Sequence, residues 1–371
     1  MTSTSRSPEG QETAPLTPGT PGPSTRRSLV LVAGSGRSGT SLFTGILQRL
    51  GFHVPQPEVP ADDTNPRGFA ESKWVVDFHT GLLRSAQVQV SDARPAAWAR
   101  MADVCLDEAV ERQVRAWLGE QFRRADHIVL KDPRLAWFLP LWRRCAEEAG
   151  ASPRFVTLLR HPAAVLDSKR RWYGSWQGDV ARAAGWVNHT LFTERATREA
   201  PRVFVRYDDL LEDWTRTVGR VGDVLDLEVI RDASPAAMRR IHEFVDRKLN
   251  RSGADWADFR IPVALREQSD HVWELVSRLA DEVEGDRESV IEGLEAARVA
   301  YVDLYEEAEA IAQSSITAAS RRAARNGRVL GGTLRMFVHA VPRRYRRKVP
   351  QRWRQTVVRA LDRGGGRPRG S

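Results

Sequence analysis

The sequence is poor in cysteine and has no hydrophobic run long enough to cross a membrane. Its two cysteines, Cys105 and Cys145, form no metal-type spacing, and they lie far apart in the sequence. The first 27 residues contain almost no large apolar residues, so they also lack the apolar region of a secretory signal. These absences argue against a disulfide framework and predict a cytoplasmic protein, with a peripheral position at the inner membrane surface left open.

The positive charge is concentrated at the carboxyl end of the chain. The net charge is +9, yet residues 316–371 carry 16 lysines and arginines and one aspartate, so the remainder is mildly acidic. This distribution describes a basic appendage, and we expect no nucleic acid partner. Because 41% of the residues of the chain are hydrophobic, the part before this appendage can bury a sizeable core. We predict a disordered tail at 1–27, one large domain at 28–312 and a basic tail at 313–371.

A glycine-rich stretch near the start organises the rest of the chain. An apolar run at 28–33 leads into glycines and hydroxyl residues, and helix-spaced apolar residues resume at Leu42. This pattern predicts a buried strand, a tight loop and a helix. Such a loop directs backbone N–H groups and the positive end of a helix dipole at one point, which suits a phosphate or sulfate.

Two known kinds of phosphate loop share the glycine spacing of this stretch. Gly34, Gly36 and Gly39 match the dinucleotide fingerprint, which is a weak signal by itself. Gly34 and Gly39 also match the glycines of a Walker A loop, but Thr40 stands where that loop has its lysine. The cation of the loop is Arg37 instead. A kinase or NTPase therefore remains an alternative, and it needs a replacement for the missing lysine.

Two residues downstream of the loop are candidates for a general base. Glu71 ends the stretch 65–71, and His79 lies in a helix predicted over residues 72–83. Eight residues on a helix would place the two on roughly one side, about 12 Å apart. The alternative is a capping or surface carboxylate for Glu71 and a partly buried helix residue for His79.

Two predicted strands end in charged residues. The apolar run at 127–130 leads into Lys131, Asp132 and Arg134, and the run at 153–159 ends at Arg160. Open α/β sheets bind ligands at the carboxyl ends of their strands, so both groups are candidate site residues. An ion pair that fixes the loop is the alternative for the first group. Ser168, about two turns into the next predicted helix, offers a hydroxyl to a phosphate held by Arg160.

The loop and the Arg160–Ser168 pair together resemble two elements of the sulfotransferases. The order of a basic residue, Ser-Gly-Thr and a further hydroxyl residue at 37–41 is similar to their 5′-phosphosulfate loop. An arginine followed eight residues later by a serine is similar to their 3′-phosphate element. The similarity extends to segments 65–71, 131–134 and 203–210. It implies an α/β fold of the P-loop NTPase-like type, in which a central parallel sheet lies between helices in three layers.

The resemblance also implies a donor and roles for the site residues. The donor is 3′-phosphoadenosine 5′-phosphosulfate (PAPS), and no metal is expected. Arg37 is expected to stabilise the leaving phosphate oxygen, and Glu71 or His79 to take the proton of the acceptor. The expected donor contacts are Gly36, Arg37, Ser38, Gly39, Thr40, Ser41, Lys131, Arg160, Ser168 and, in the place of the family's carboxyl-terminal donor segment, Arg251.

The acceptor and the tail are predicted more coarsely. The resemblance implies a hydroxyl-bearing acceptor such as a carbohydrate, a glycolipid or a small metabolite. An aromatic group suits stacking on sugar rings, with core packing as the alternative: Trp172, Tyr173, Trp176 and Trp186. Residues 350–363 predict a basic amphipathic helix suited to an anionic membrane surface. The alternatives are a solvated tail and a non-catalytic protein that tethers partners through it.

Overall fold

The computed structural model describes residues 27–65, 67–173, 177–245, 255–281 and 288–340. Four predictions concern other residues: the disordered tail before residue 27, the acceptor contact at Trp176, the donor contact at Arg251 and the amphipathic helix at 350–363. These four lie outside the described residues.

The centre of the described structure is a four-stranded parallel sheet. Its strands, in the spatial order β2-β1-β3-β4, are β1 (Ser28–Ala33), β2 (His127–Lys131), β3 (Ser152–Leu159) and β4 (Arg202–Arg206). Val30 of β1 lies opposite Val129 of β2 and Arg154 of β3. Because the strands are parallel, their carboxyl ends meet at one edge of the sheet. This architecture confirms the predicted α/β fold.

Alternate residues of β1 face two separate hydrophobic cores. Leu29 and Leu31 belong to one core, whereas Val30 and Val32 belong to the other. A parallel strand covered on both faces is apolar throughout, which explains the unbroken run at 29–33. Helices cover both faces and complete the three layers.

The first core is covered by helices from the middle of the chain. These are α2 (Lys73–Ser85), α3 (Ala97–Cys105), α4 (Glu108–Phe122), a 3-10 helix (Leu135–Phe138) and α5 (Leu139–Glu148). Helix α4 begins at Glu108 because the Asp107 carboxylate accepts hydrogen bonds from the amides of Ala109 and Val110.

The second core lies under helices from two separate parts of the chain. These are α1 (Thr40–Leu50), α8 (Tyr207–Glu212), α9 (Trp214–Val224), α10 (Glu228–Arg231) and α11 (Pro235–Phe244). Two further helices, α6 (Pro162–Tyr173) and α7 (Asp179–Thr197), lie between β3 and β4 in the chain.

Two further helices follow later in the chain. They are α12 (Val263–Arg278) and α13 (Glu288–Ala340). Helix α13 continues without a break through residue 312, the predicted end of the large domain. The chain divides into two compact units, Met1–Tyr301 and Val302–Ser371. In the first unit, the Tyr301 hydroxyl lies 2.6 Å from the carbonyl oxygen of Ala93. Among the described helices, none combines the length and the hydropathy needed to cross a membrane.

Candidate active site

The glycine-rich loop joins β1 to α1 in a conformation that requires glycine at two positions. Gly34 has φ +138°, and a Cβ there would lie 2.6 Å from the carbonyl oxygen of Leu158. Gly39 has φ +93°, and a Cβ there would lie 2.2 Å from the ring of Tyr207. Each position combines a left-handed type of backbone with a neighbour that leaves no space for a side chain. The predicted order of strand, loop and helix is confirmed.

The amino end of α1 opens into a cavity. Gly39 precedes the helix and supplies no side-chain cap, and the first N–H groups of a helix have no acceptor within it. Thr40 and Ser41 of this first turn line the cavity. The first turn holds no acidic side chain, so the positive end of the helix dipole is not offset there. This end of α1 is suited to a phosphate or sulfate group.

Arg37 and Arg160 connect the loop to the second predicted phosphate element. Arg37 Nε donates a hydrogen bond to Ser168 Oγ at 3.0 Å. Arg160 Nη1 donates to the backbone oxygen of Arg37 at 3.1 Å, and its guanidinium lies over the ring of Tyr207. Arg160 directly follows β3, and Ser168 lies in α6. The loop and the Arg160–Ser168 pair therefore lie at one site, although they are far apart in the sequence.

Lys131, at the end of β2, reaches the same loop from the opposite side. Its Nζ donates to Ser41 Oγ at 2.8 Å, to the backbone oxygen of Phe69 at 3.1 Å and to Glu71 Oε1 at 2.5 Å. Both Lys131 and Glu71 are buried. An ammonium group thus stands between the candidate base and the first turn of α1.

The environment of Glu71 makes it a stronger base than an ordinary glutamate. Burial raises the pKa of Glu71, Lys131 opposes this shift, and the nearby Asp132 carboxylate adds to it. The net direction is upward. A carboxylate with a raised pKa holds a proton more strongly, which suits it to remove one from a hydroxyl.

His79 lies behind the cavity in a buried network. Trp142 Nε1 donates to His79 Nε2 at 2.9 Å, and His79 Nδ1 lies 2.7 Å from Asp132 Oδ2. Since an indole N–H is only a donor, Nε2 accepts and Nδ1 carries the proton. Burial lowers the pKa of His79 despite the hydrogen bond and charge of Asp132, which keeps the imidazole neutral.

This placement corrects the prediction of His79 as a catalytic base. The side chain has no solvent exposure, both ring nitrogens are engaged, and the residue does not line the cavity. Glu71 precedes α2, so that helix does not carry both candidates. His79 instead orients Asp132, whose Oδ1 accepts from Arg134 Nη1 at 2.6 Å. Arg134 does line the cavity.

Ser38 also differs from its predicted role as a donor contact. Its backbone N–H and its hydroxyl both donate to the backbone oxygen of Ser35, at 3.1 and 2.6 Å. The side chain is buried and does not line the cavity. Ser38 therefore stabilises the turn of the loop, because its donors are directed into the turn.

The cavity has a volume of about 550 Å³, within the range of small-molecule sites. Of the predicted site residues, it is lined by Gly36, Arg37, Gly39, Thr40, Ser41, Glu71, Lys131, Arg160 and Ser168. Trp172 and Tyr173 line it as well. Trp186 is buried in the core, as the alternative interpretation held, and Trp176 lies outside the described residues.

Sequence reasoning named Arg134 as a candidate site residue but missed the contribution of Tyr207 to the cavity. Tyr207 follows the last residue of β4, and Arg134 follows β2 by three residues. The rule that placed Lys131 and Arg160 at the site, the carboxyl end of a strand, applies to both. The signal was therefore present for Tyr207, but the spacing gave no reason to expect its ring against Gly39.

These features define an α/β protein with a glycine-rich loop and a cavity lined by arginine and lysine side chains at the carboxyl edge of its sheet. The chain belongs to the sulfotransferase family, whose family model matches residues 30–232. That match extends from β1 to the residue after α10 and includes the loop, Glu71, Lys131, Arg160 and Ser168. The resemblance inferred from the sequence is confirmed.

Solved structures of low sequence identity are similar to this chain. The sulfotransferase domain from the Synechococcus PCC 7002 olefin synthase shares 18% identity, with 69% of this chain and 97% of that chain covered and a TM-score of 0.41. The sulfotransferase domain from the curacin biosynthetic pathway shares 15% identity, with 68% of this chain and 99% of that chain covered and a TM-score of 0.40. Sulfotransferase STF1 from Mycobacterium tuberculosis shares 14% identity, with 60% of this chain and 77% of that chain covered and a TM-score of 0.30. No curated protein sequence matches the chain significantly.

Proposed function

We propose that the protein transfers a sulfuryl group from PAPS to a hydroxyl group of an acceptor. The observation that carries the proposal is the contact of the two phosphate elements, in which Arg37 Nε lies 3.0 Å from Ser168 Oγ and Arg160 Nη1 lies 3.1 Å from the oxygen of Arg37. PAPS carries anionic groups at two positions of its ribose. Two adjacent anion sites in one cavity match that ligand better than a mononucleotide with phosphates at one position.

In this proposal the loop and the Arg160–Ser168 pair divide the donor between them. The open amides at the start of α1, with the hydroxyls of Thr40 and Ser41, hold the 5′-phosphosulfate. Arg160 and Ser168 hold the 3′-phosphate, where a guanidinium provides paired donors for phosphate oxygens. In this arrangement Arg37 lies between the 5′-phosphosulfate and the 3′-phosphate and contacts both.

The reaction moves an SO3 group from a phosphate oxygen to the acceptor oxygen, which attacks from the opposite side. Glu71 takes the proton of the attacking hydroxyl, and its raised pKa supports this role. Negative charge develops on the departing phosphate oxygen. We assign its stabilisation to Lys131 together with Arg37, because Lys131 Nζ lies 2.8 Å from the Ser41 hydroxyl at the loop. The other product is 3′,5′-ADP.

The acceptor in this proposal is a carbohydrate, a glycolipid or a small hydroxylated metabolite. Trp172 and Tyr173 of α6 line the same cavity as Glu71, and their rings offer faces on which a sugar or another ring stacks. We propose a cytoplasmic location, with the basic tail in contact with an anionic membrane surface.

The experiment is a transfer assay with radiolabelled PAPS and an extract of cellular metabolites and lipids. The proposal expects a labelled product that forms only with the protein, followed by its identification. Mg²⁺ and ATP in place of PAPS should give no transfer. ATP turnover that requires Mg²⁺, with no use of PAPS, would instead support a kinase or NTPase.

A further inference from the structure

Lys169 is a buried cation next to the phosphate loop, and the proposed mechanism does not use it. It follows Ser168 in α6, and its side chain is buried. Its Nζ donates to Ser35 Oγ at 3.3 Å and to Ser91 Oγ at 3.2 Å. Ser35 lies inside the glycine-rich loop, between Gly34 and Gly36. The ammonium group therefore contacts the loop from the protein interior, on the side away from the cavity.

The charged neighbours of Lys169 do not neutralise it. Among the described residues, no carboxylate forms an ion pair with its ammonium group. The charge that acts on it is that of Arg182 in α7, which is also a cation. His189 of the same helix is buried, and burial and the charge of Lys169 lower the pKa of His189 to about 4, so it is neutral. Asp92, next to Ser91, forms an ion pair with Arg94 instead.

The segment that holds Ser91 is packed closely against α7. This packing keeps the Ser91 hydroxyl next to the Lys169 ammonium group. A Cβ on Gly185 would lie 2.4 Å from the backbone oxygen of Ser91, which shows how closely the two backbones approach. Asn188 Nδ2 donates to the backbone oxygens of Asp92 and Arg94 at 2.8 and 3.1 Å. The two hydroxyl contacts of Lys169 are therefore built into the fold.

Burying an ammonium group without a counter-ion costs free energy, and a protein keeps such a group where a charge compensates it. The adjacent loop is the place where an anion binds in the proposed function. We propose that Lys169 is a positioning residue for the donor: its buried charge is compensated by the anion in the loop, so that donor binding is coupled to proton uptake at Lys169. This inference rests on the proposed function, because it requires an anion at residues 34–41.

The direction in which donor affinity changes with pH follows from the pKa of Lys169 in the protein without donor. Burial, with a smaller contribution from Arg182, lowers the pKa of Lys169 to about 8. Below this pH the lysine is charged and binding needs no proton. Above it the lysine is mostly neutral, and an anion in the loop raises its pKa again and draws a proton from solvent. Donor affinity should therefore fall as the pH rises above 8, by about tenfold between pH 7 and pH 9.

The test is calorimetric binding of 3′,5′-ADP to the full-length protein from pH 7 to pH 9, in buffers of different ionisation enthalpy. Phosphate groups are largely ionised over this range. We expect uptake of nearly one proton per ligand at pH 9 in the wild type, and almost none at pH 7. Lys169→Arg keeps a permanent charge, so it should bind without proton uptake and without loss of affinity at pH 9. Lys169→Met should bind about tenfold more weakly at pH 7, without pH dependence.

Arg170→Met provides the matched control. It removes a positive charge from the neighbouring residue of α6, whose side chain is 48% exposed, and it should keep the wild-type pH profile. Absence of proton uptake in the wild type, or the same uptake in Lys169→Arg, would overturn the inference. If Lys169→Met fails to fold, the wild type and Lys169→Arg still decide. Failure of the proposed function is distinguishable, because the wild type would then not bind 3′,5′-ADP at any pH.

Discussion

At the scale of single residues, the proposed chemistry depends on the buried Glu71 carboxylate next to the Lys131 ammonium group. Glu71→Gln removes the proton acceptor but keeps an oxygen that can accept from Lys131. We expect the transfer rate to fall by about 10²- to 10⁴-fold, with the Kd for 3′,5′-ADP nearly unchanged. Glu148→Gln, an exposed exchange on α5, should leave both values unchanged. A large loss of binding with a normal rate would contradict the role of Glu71.

The pH dependence of transfer reports on the same group. Because burial raises the pKa of Glu71, the carboxylate is protonated at a higher pH than an ordinary glutamate. Protonated Glu71 cannot accept a proton, so the rate should fall on acidification through this raised pKa. Initial rates between pH 5 and 8 should show this decline in the wild type. The residual activity of Glu71→Gln should lack this decline. If the decline persisted in Glu71→Gln, it would be assigned to another group.

Arg160 should determine whether the protein distinguishes a 3′-phosphate. Arg160→Ala removes charge-assisted hydrogen bonds worth about 1.5 to 3 kcal/mol, so 3′,5′-ADP should bind about 10- to 150-fold more weakly. Binding of 5′-AMP should change much less. The control is Arg143→Ala on α5, a residue that does not line this cavity. Equal losses for both nucleotides would show that Arg160 does not contact the 3′-phosphate.

At the scale of elements, the loop between β1 and α1 tolerates no side chain at Gly39. Gly39→Ala places a methyl group against the ring of Tyr207 at φ +93°. We expect a loss of about 1 kcal/mol or more in the free energy of unfolding, together with loss of 3′,5′-ADP binding. Thermal unfolding and calorimetry measure the two effects.

The matched exchange is Gly81→Ala within α2, where nothing lies within 4 Å of the new Cβ. Alanine is the better helix former by about 1 kcal/mol, so this variant should be more stable and should bind normally. If Gly39→Ala behaved like Gly81→Ala, the close approach of Tyr207 would not control the loop.

The sequence predicted the elements whose pattern is local. The apolar run of β1 and the glycines after it specify a strand and loop, and the helix predicted over residues 72–83 lies within two residues of the observed ends of α2. The carboxyl-end rule brought Lys131 and Arg160 to one edge. The side-chain direction of His79 was not predictable, because it depends on Trp142 and Asp132, which reach it from other elements.

At the scale of the whole molecule, the basic tail and the proposed catalytic residues lie in different parts of the chain. The cavity residues all lie in the unit Met1–Tyr301, whereas the excess of lysines and arginines lies after residue 316. We expect a protein truncated after residue 312 to keep sulfate transfer to a soluble acceptor. It should lose sedimentation with vesicles that contain anionic lipid, because the basic tail is the proposed membrane contact. Loss of transfer to the soluble acceptor would instead support a tethering role.

In the proposed function, one cavity holds an anionic group at the 3′ position and another at the 5′ position of one ribose. The most direct measurement compares the affinities of the wild-type protein for 3′,5′-ADP and 5′-AMP by calorimetry at pH 7. We expect micromolar binding of 3′,5′-ADP and binding of 5′-AMP that is at least about tenfold weaker, since 5′-AMP lacks the 3′-phosphate that Arg160 and Ser168 are proposed to contact. Equal affinity for the two nucleotides, or no binding of either, would contradict this proposal.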